Sequence, residues 1–153
     1  ERLVINSGAR SERFLRDRYP DLPPQAFVHY GNYIGATLRA AADQGIDRLT
    51  LGIMIGKAVK LAEGQLDTHS RQHLMNKIFL QRLAAEAGCS EAAYTVIEAL
   101  TLARELWTGL SAADLDRFLT ALLAACRHWC RTAYPNGELT LLLMDEEGQI
   151  RCG

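Results

Sequence analysis

Three features that mark membrane, secreted and nucleic-acid-binding proteins are absent from the sequence. No apolar stretch approaches the roughly 20 residues that a helix needs to cross a bilayer, and the N-terminus lacks a charged-then-apolar signal pattern. The 17 lysines and arginines form no dense run and are balanced by 18 acidic residues. A nucleic-acid-binding domain usually presents a basic stripe, because it displaces counterions from phosphates. These absences predict a cytoplasmic protein without a membrane or nucleic-acid partner.

Cysteine is scarce, with four residues in 153. In a cytoplasmic chain of this size we expect reduced thiols rather than a disulfide framework. Cys126 and Cys130 would share one face of a helix, whereas His128 would point to another face. A structural zinc ion needs four ligands, which two thiols do not supply. We therefore predict two buried helix cysteines here and no metal site.

A second pair of candidate metal ligands is His69 and His73, which a helix would place one turn apart. No glutamate completes the H-E-x-x-H pattern, and His69 precedes the predicted start of the next helix. Thr68, His69 and Ser70 are equally typical of a turn or a helix cap. The sequence therefore does not predict a metal at this segment either.

The chain has the size of one domain, and its first residue is Glu1 rather than a methionine. A chain of this length can bury roughly two-thirds of the surface that it exposes when unfolded. We expect residues 1–153 to form a single α/β domain. We also expect this domain to be the C-terminal part of a longer, two-domain protein, so that an N-terminal domain is one of its partners.

Strands and helices alternate over residues 1–68. Short apolar runs predict three strands, at residues 2–6, 26–30 and 47–54. Each run is followed by a glycine turn and a helical pattern, which is typical of an α/β fold with a mainly parallel sheet and glycine turns at the strand ends. Residues 69–134 are predicted to be helical, and residues 138–151 to form a final strand that returns to the sheet.

Three helices are predicted within the helical part of the chain. The first spans residues 71–87, and apolar residues at helical spacing define its inner face: Leu74, Met75, Ile78, Phe79 and Leu83. Ser90 is a good N-terminal cap for a second helix that runs to Trp107. Ser111 and Asp114 form an S-x-x-D pattern that opens the longest helix. An apolar stripe from Leu115 to Cys130 predicts that this helix packs in the core.

Glycine turns follow all three of the early predicted strands. The turns are Ser7-Gly8-Ala9-Arg10, Tyr30-Gly31-Asn32 with Gly35, and Ile55-Gly56-Lys57. The carboxyl ends of parallel strands meet at one edge of a sheet, where helix N-termini expose backbone N–H groups. Each glycine alone is also explained by a tight turn. Their convergence, together with Arg10 and Lys57, indicates a site for an anionic or nucleoside ligand.

The third turn resembles a nucleotide phosphate loop but does not satisfy that pattern. The pattern G-x-x-x-x-G-K-[ST] needs four residues between its glycines and a hydroxyl after the lysine. Here three residues separate Gly52 from Gly56, and Ala58 follows Lys57. The segment from Gly31 to Gly35 also fails the dinucleotide fingerprint G-x-G-x-x-G. The sequence therefore excludes both nucleotide motifs at these turns.

The motifs of residues 27–70 together resemble the cobalt-precorrin-5B C1-methyltransferases of anaerobic cobalamin biosynthesis. That family has a G-[ND]-[FY]-[IVL]-G helix start, a G-K-[LA]-x-K-[LIV]-A-x-G segment and a T-H-[SA] cluster. The matching residues here are Gly31, Asn32, Tyr33, Ile34 and Gly35, then Gly56, Lys57, Lys60, Leu61, Ala62 and Gly64, and finally Thr68, His69 and Ser70. The opening "INSGARSER" also resembles the family, whose members are about twice as long. One departure is that many members have a histidine before the G-K pair, where this chain has residues 52–55.

The resemblance implies transfer of a methyl group from S-adenosylmethionine to ring carbon C-1 of a cobalt-corrinoid intermediate. Close backbone approach to the methyl donor is then expected at the cofactor-binding residues Gly8, Gly31, Asn32, Gly35 and Gly56. The corrinoid carboxylates are expected to meet the substrate-binding residues Arg10, Lys57, Lys60, Thr68, Ser70 and Arg71. His69 is the candidate catalytic acid or base, because nucleophilicity at C-1 depends on the protonation of the ring.

A non-enzymatic function is the alternative. An isolated α/β module with these turns could bind a small anionic ligand, or it could dock a partner protein through its helical half. The sequence also leaves open whether the protein is a homo-oligomer. Binding of S-adenosylmethionine would separate the two readings, since only the methyltransferase requires it.

Overall fold

A five-stranded mixed sheet organises the chain. The computed structural model describes residues 1–67 and 74–153. The strands, in chain order, are β1 (Arg2–Asn6), β2 (Phe27–His29), β3 (Arg48–Met54), β4 (Glu138–Met144) and β5 (Ile150–Cys152). Their spatial order is β2-β1-β3-β4-β5, with parallel pairing throughout except between β4 and β5. The predicted α/β class with a mainly parallel sheet is confirmed.

Helices cover the sheet and fill most of the chain between β3 and β4. They are α1 (Ala9–Arg18), α2 (Ile34–Asp43), α3 (Ile55–Ala62), α4 (Lys77–Glu86), α5 (Glu91–Glu98), α6 (Leu106–Gly109) and α7 (Ala112–Ala133), with 3₁₀ turns at Pro24–Ala26 and Ala103–Glu105. The larger core lies between the sheet and α2, α3 and α7, and a smaller core lies under α1. Among the described residues, no helix has the length and apolarity needed to cross a bilayer.

The predicted helix over 71–87 is wrong at its N-terminal end. Helix α4 begins at Lys77, because the side chain of Asn76 caps it by accepting a hydrogen bond of 3.1 Å from the Phe79 N–H. From this start the helix buries Leu80 and other residues in register with it. Leu74 and Ile78, which were predicted to face the core, are 94% and 80% exposed.

The second predicted helix, from Ser90 to Trp107, is interrupted. Helix α5 ends at Glu98, and a 3₁₀ turn and the short α6 follow. The Glu105 carboxylate accepts hydrogen bonds from the backbone N–H groups of Thr101 and Leu102. These N–H groups are therefore satisfied by a side chain rather than by a continuing helix. The break brings residues 101–104 to the carboxyl edge of the sheet, where they line a cavity.

The longest helix and its apolar stripe are confirmed. Ser111 caps α7 by accepting a hydrogen bond of 3.2 Å from the Asp114 N–H. The stripe packs in the core, where Cys126 and Cys130 are fully buried free thiols. Beyond α7, strand β4 joins the sheet beside β3, but a turn then reverses the chain into β5. The final segment is therefore a hairpin rather than the single strand expected over 138–151.

Gly52 has a packing role in the centre of β3. A Cβ placed there would lie 2.5 Å from Leu15 Cδ1 and 3.1 Å from Met144 Cε. We expect Gly52→Ala to lower the free energy of unfolding by roughly 1–3 kcal/mol, because the smaller core would be overpacked. Gly56→Ala is the matched control, since a Cβ at Gly56 would meet no atom within 4 Å. Urea unfolding measures both, and equal stability of the two variants would contradict this account.

Asp114 connects the start of α7 to the start of α5 through hydrogen bonds. Its carboxylate is buried and accepts hydrogen bonds from the Ser90 hydroxyl (2.5 Å) and the Ser90 N–H (2.8 Å). These bonds, the hydroxyl bond first, lower the pKa of Asp114 below its ordinary value. The ionised form is therefore the one that the folded chain stabilises.

We expect Asp114→Asn to destabilise the folded chain more near neutral pH than in acid. The wild-type carboxylate contributes its full stability above the unfolded pKa, which is about 3.9. That contribution is lost as the pH falls through the lower pKa of the folded state. Urea unfolding of both proteins, near neutral pH and near pH 3, measures their free energies of unfolding. The difference between wild type and variant should be smaller in acid. A difference that stays constant would show that Asp114 acts through packing alone.

Candidate functional site

A cavity of about 720 Å³ lies at the carboxyl edge of the parallel strands. Its walls are the β1–α1 turn at residues 7–11, the β3–α3 turn and first helical turn at residues 54–60, and residues 101–104. Leu74, Met75 and Glu146 complete the lining. We call it the glycine-turn cavity. Its volume is within the range of about 300–1,000 Å³ that is typical of small-molecule sites.

The β1–α1 turn is held in one conformation by two buried polar side chains. The Gly8 N–H donates to Asn6 Oδ1 (3.0 Å) and Ser11 Oγ (3.2 Å), and the Ser11 hydroxyl is also 2.9 Å from the Gly8 carbonyl oxygen. Gly8 has φ 153° and ψ −168°, a region that is essentially restricted to glycine. Asn6 and Ser11 are 0% and 2% exposed. The first turn of α1 is therefore presented to the cavity in a fixed orientation.

Lys57 connects the second and third glycine turns. Its Nζ donates to the Gly31 carbonyl oxygen and lies 5.2 Å from the centroid of the Tyr30 ring. Burial, and to a smaller extent the charge of Lys60, lowers the pKa of Lys57. One of its hydrogen bonds is therefore used to hold the β2–α2 turn against α3.

The structure brings five of the predicted site residues to this cavity. These are Gly8, Arg10, Gly56, Lys57 and Lys60. Gly31 is tied to the cavity wall only through Lys57, and neither it nor Asn32 is part of the lining. Gly35 allows close approach of another segment, since a Cβ there would lie 2.8 Å from Leu66 Cβ. The other predicted residues, Thr68, His69, Ser70 and Arg71, lie outside the described residues.

Positive charge dominates the described lining. Four cations, Arg10, Lys57, Lys60 and Arg104, face a single carboxylate, that of Glu146. Glu146 pairs with Arg10, whereas within residues 1–67 and 74–153 Lys60 and Arg104 form no salt bridge. Such unpaired cations at the wall of a cavity favour an anionic ligand.

The backbone at both lining glycines faces open space. A Cβ added at Gly8 or Gly56 would meet no atom within 4 Å. A ligand can therefore approach the main chain there more closely than side chains would permit. The arrangement fits a ligand that carries carboxylate, hydroxyl or other acceptor groups, because the first turns of α1 and α3 have unsatisfied N–H groups.

The sequence analysis did not predict Arg104 and Glu146 as residues of this cavity. Arg104 was assigned to the last turn of the helix predicted to run to Trp107, so nothing indicated that a break would place it at the sheet edge. Glu146 could have been found, because it follows β4, and a strand predicted to join a parallel sheet brings its carboxyl end to the same edge. Among the described residues, no cluster of three or more histidine, cysteine, aspartate or glutamate side chains could hold a metal ion.

The fold and cavity define an α/β domain with a candidate ligand site at the carboxyl ends of its parallel strands. Residues 67–152 match the family described as "CbiD, C-terminal domain", which is more than half of the chain. The chain belongs to the CbiD family. No solved structure matches it.

Two curated relatives are both named cobalt-precorrin-5B C(1)-methyltransferase. The protein from Prosthecochloris aestuarii is 41% identical over 152 residues, which are 98% of this chain and 41% of that protein. The protein from Geobacillus kaustophilus is 33% identical over 131 residues, which are 86% of this chain and 34% of that protein. The chain thus spans about two-fifths or less of these relatives. Because both are named as enzymes, the comparisons do not favour the non-catalytic alternative.

Proposed function

We propose that this chain is the C-terminal domain of a cobalt-precorrin-5B C1-methyltransferase, and that its glycine-turn cavity binds the corrinoid substrate. The observation that carries the proposal is the cluster of four cations at the carboxyl edge of the sheet, in a chain whose relatives bear that enzyme's name. The substrate class follows from the chemistry, since a corrinoid intermediate carries several acetate and propionate carboxylates around an apolar ring.

The cations have different tasks in this proposal. Lys60 and Arg104 are available for substrate carboxylates, because neither has a carboxylate partner among the described residues. Arg10 would exchange Glu146 for a substrate carboxylate, and a bidentate contact suits its planar guanidinium. Lys57 holds the β2–α2 turn, and its charge also contributes to the positive potential of the cavity.

Apolar residues complement the cations in the same cavity. Val59, Met75 and Leu102 contribute to the lining between the charged positions. The face of a macrocycle is apolar and its rim is charged, so a cavity that alternates the two kinds of side chain suits it. Contacts of both kinds would orient the ring and present C-1 in one direction.

S-adenosylmethionine is the proposed methyl donor. When bound, it supplies a methyl group that a carbon electron pair can take from sulfur, with release of a neutral thioether. The task of this chain is then to bind, orient and exclude water. The open backbone at Gly8 and Gly56 fits such a ligand as well as a carboxylate. His69 remains the proposed acid or base for the ring proton.

Calorimetric titration of the full-length protein tests the proposal. We expect it to bind both a cobalt-corrinoid carboxylate and S-adenosylhomocysteine, and the affinity for the corrinoid should fall steeply with salt because it depends on charge. Titration of the 153-residue chain then shows which ligand this domain holds alone. A full-length protein that bound neither ligand would contradict the methyltransferase proposal.

A further inference from the structure

A second cavity adjoins the glycine-turn cavity. It has a volume of about 630 Å³ and lies between residues 104–108 and the β4–β5 hairpin. We call it the hairpin cavity. Arg104 and Glu146 line both cavities, so these two residues form a wall between them. Ligands in the two cavities would therefore lie side by side at the carboxyl edge of the sheet.

The charge of the lining reverses across that wall. The hairpin cavity has four carboxylates in its described lining, those of Glu105, Asp145, Glu146 and Glu147, and two arginines. Arg151 is already paired with Asp116 at 3.0 Å, and Glu146 with Arg10, which leaves Arg104 facing the carboxylates of Glu105, Asp145 and Glu147. A ligand with several carboxylates would be repelled here, whereas a cationic ligand would be attracted.

Trp107 gives the hairpin cavity an aromatic wall. It is one of two tryptophans in the sequence, and the other, Trp129, lines a different cavity beside α4. Stacking on a flat aromatic ring is a common way for proteins to hold a purine base, because every base has a π face. The described lining of the glycine-turn cavity contains no aromatic residue.

The hairpin turn that forms the opposite wall is itself ordered by a side chain. Asp145 Oδ1 accepts hydrogen bonds of 2.9 Å from the N–H groups of both Glu147 and Gln149. Glu105 similarly binds the backbone at Thr101 and Leu102. Both walls are thus fixed by the chain's own hydrogen bonds, as a preformed small-molecule site requires.

We propose that the hairpin cavity binds the methyl donor, with the purine on Trp107 and the cationic end among the carboxylates, while the glycine-turn cavity holds the corrinoid. This inference rests on the proposed function, because it assigns that function's two ligands to two cavities. Under this assignment the methyl donor does not bind at the glycine turns, which the sequence analysis had predicted as its site. The two ligands then lie closest to each other at Arg104 and Glu146, the residues that both cavities share, and a direct transfer would pass there.

Variants that remove the aromatic ring from the hairpin cavity, or that fill the cavity with a larger side chain, test the assignment. In the full-length protein, Trp107→Ala is expected to weaken binding of S-adenosylhomocysteine by about 5- to 100-fold, from the loss of one stacking contact. Trp107→Phe should retain most of the affinity because an aromatic ring remains. Thr108→Arg should weaken binding of the same ligand because its bulk fills the cavity, and because Thr108 is exposed the substitution should leave the fold intact.

The matched control is Thr120→Arg, an equal substitution at an exposed position on α7 that lines neither cavity. It should leave the binding of S-adenosylhomocysteine unchanged, and none of the hairpin-cavity variants should alter corrinoid binding by more than about twofold. Calorimetry measures both ligands, and circular dichroism checks the fold of each variant.

Different results would overturn the two proposals. If the wild type binds S-adenosylhomocysteine and Thr108→Arg binds it equally well, the donor lies elsewhere, and the inference fails while the proposed function stands. A Gly56→Val variant that lost the donor instead would place it at the glycine turns, since a side chain at Gly56 would extend into open space. If the wild type binds neither S-adenosylhomocysteine nor the corrinoid, the proposed function fails, and the assignment of its ligands fails with it.

Discussion

Lys60→Glu in the full-length protein is expected to weaken binding of the corrinoid substrate by about 10- to 100-fold. A hydrogen bond to a charged group contributes about 1.5–3 kcal/mol, and each 1.4 kcal/mol is tenfold in affinity. Lys60 lies one helical turn from Lys57 on the cavity wall, and it forms no salt bridge among the described residues. Its whole charge is therefore available to the ligand.

Arg117→Glu is the control that separates a local contact from the overall charge of the protein. Both substitutions change the net charge by the same amount, but Arg117 is exposed on α7 and lines none of the cavities at the sheet edge. We expect it to leave corrinoid affinity unchanged, and Lys60→Arg to retain most of it. Calorimetric titration at two salt concentrations measures the effect. Equal losses for Lys60→Glu and Arg117→Glu would mean that the cavity does not contact the corrinoid.

The sheet could be predicted because its signals are local. Apolar runs at β1 and β3 are followed directly by a glycine and a helical pattern, and this order specifies parallel strands. Once the strands are parallel, their carboxyl ends must lie at one edge. The turns at Gly8 and Gly56 therefore reach the same cavity although they are 48 positions apart in the chain. The sequence also predicted that the final strand joins the sheet, but its position beside β3 was visible only in the structure.

The break between α5 and α6 could not be predicted from periodicity. Residues 90–107 keep helical spacing, but the Glu105 carboxylate takes the N–H groups of Thr101 and Leu102. Propensity scales weigh each residue separately and do not anticipate this competition between a side chain and the helix. The break also places Arg104 between the two cavities, where it becomes a candidate ligand-binding residue.

Three glycines of this chain have different structural roles. Gly52 and Gly56 look like the two glycines of a phosphate loop, but Gly52 makes room for Leu15 inside the core and Gly56 opens the backbone to the cavity. Because Gly35 has no side chain, Leu66 can pack closely against α2. Only the neighbours of each glycine distinguish these roles, and those neighbours are distant in sequence.

Lys57 shows why candidate binding residues need the structure. In the sequence it is the more prominent lysine, because it follows the glycine of the third turn. In the fold its Nζ binds the Gly31 carbonyl oxygen and lies over Tyr30, and burial lowers its pKa. Lys60, for which residues 1–67 and 74–153 supply no such contact, is the stronger candidate for a substrate carboxylate.

His69→Ala in the full-length protein is expected to lower the methylation rate by about 10²- to 10⁴-fold, which is the usual contribution of a general acid or base. The expectation comes from the T-H-[SA] cluster in the sequence, since His69 lies outside the described residues. If His69 handles the ring proton, substrate binding should change little and the pH dependence of the rate should lose one ionisation.

His73→Ala is the control, because it removes the same side chain four positions further along the chain. A loss confined to His69→Ala, with corrinoid affinity retained, would identify a role in the chemical step, whereas weaker binding without a slower bound-state rate would make His69 a substrate contact. Single-turnover measurements with saturating corrinoid separate the two, since they report the bound complex alone. A normal rate in His69→Ala would remove it from the mechanism and leave the proton to a group elsewhere in the full-length protein.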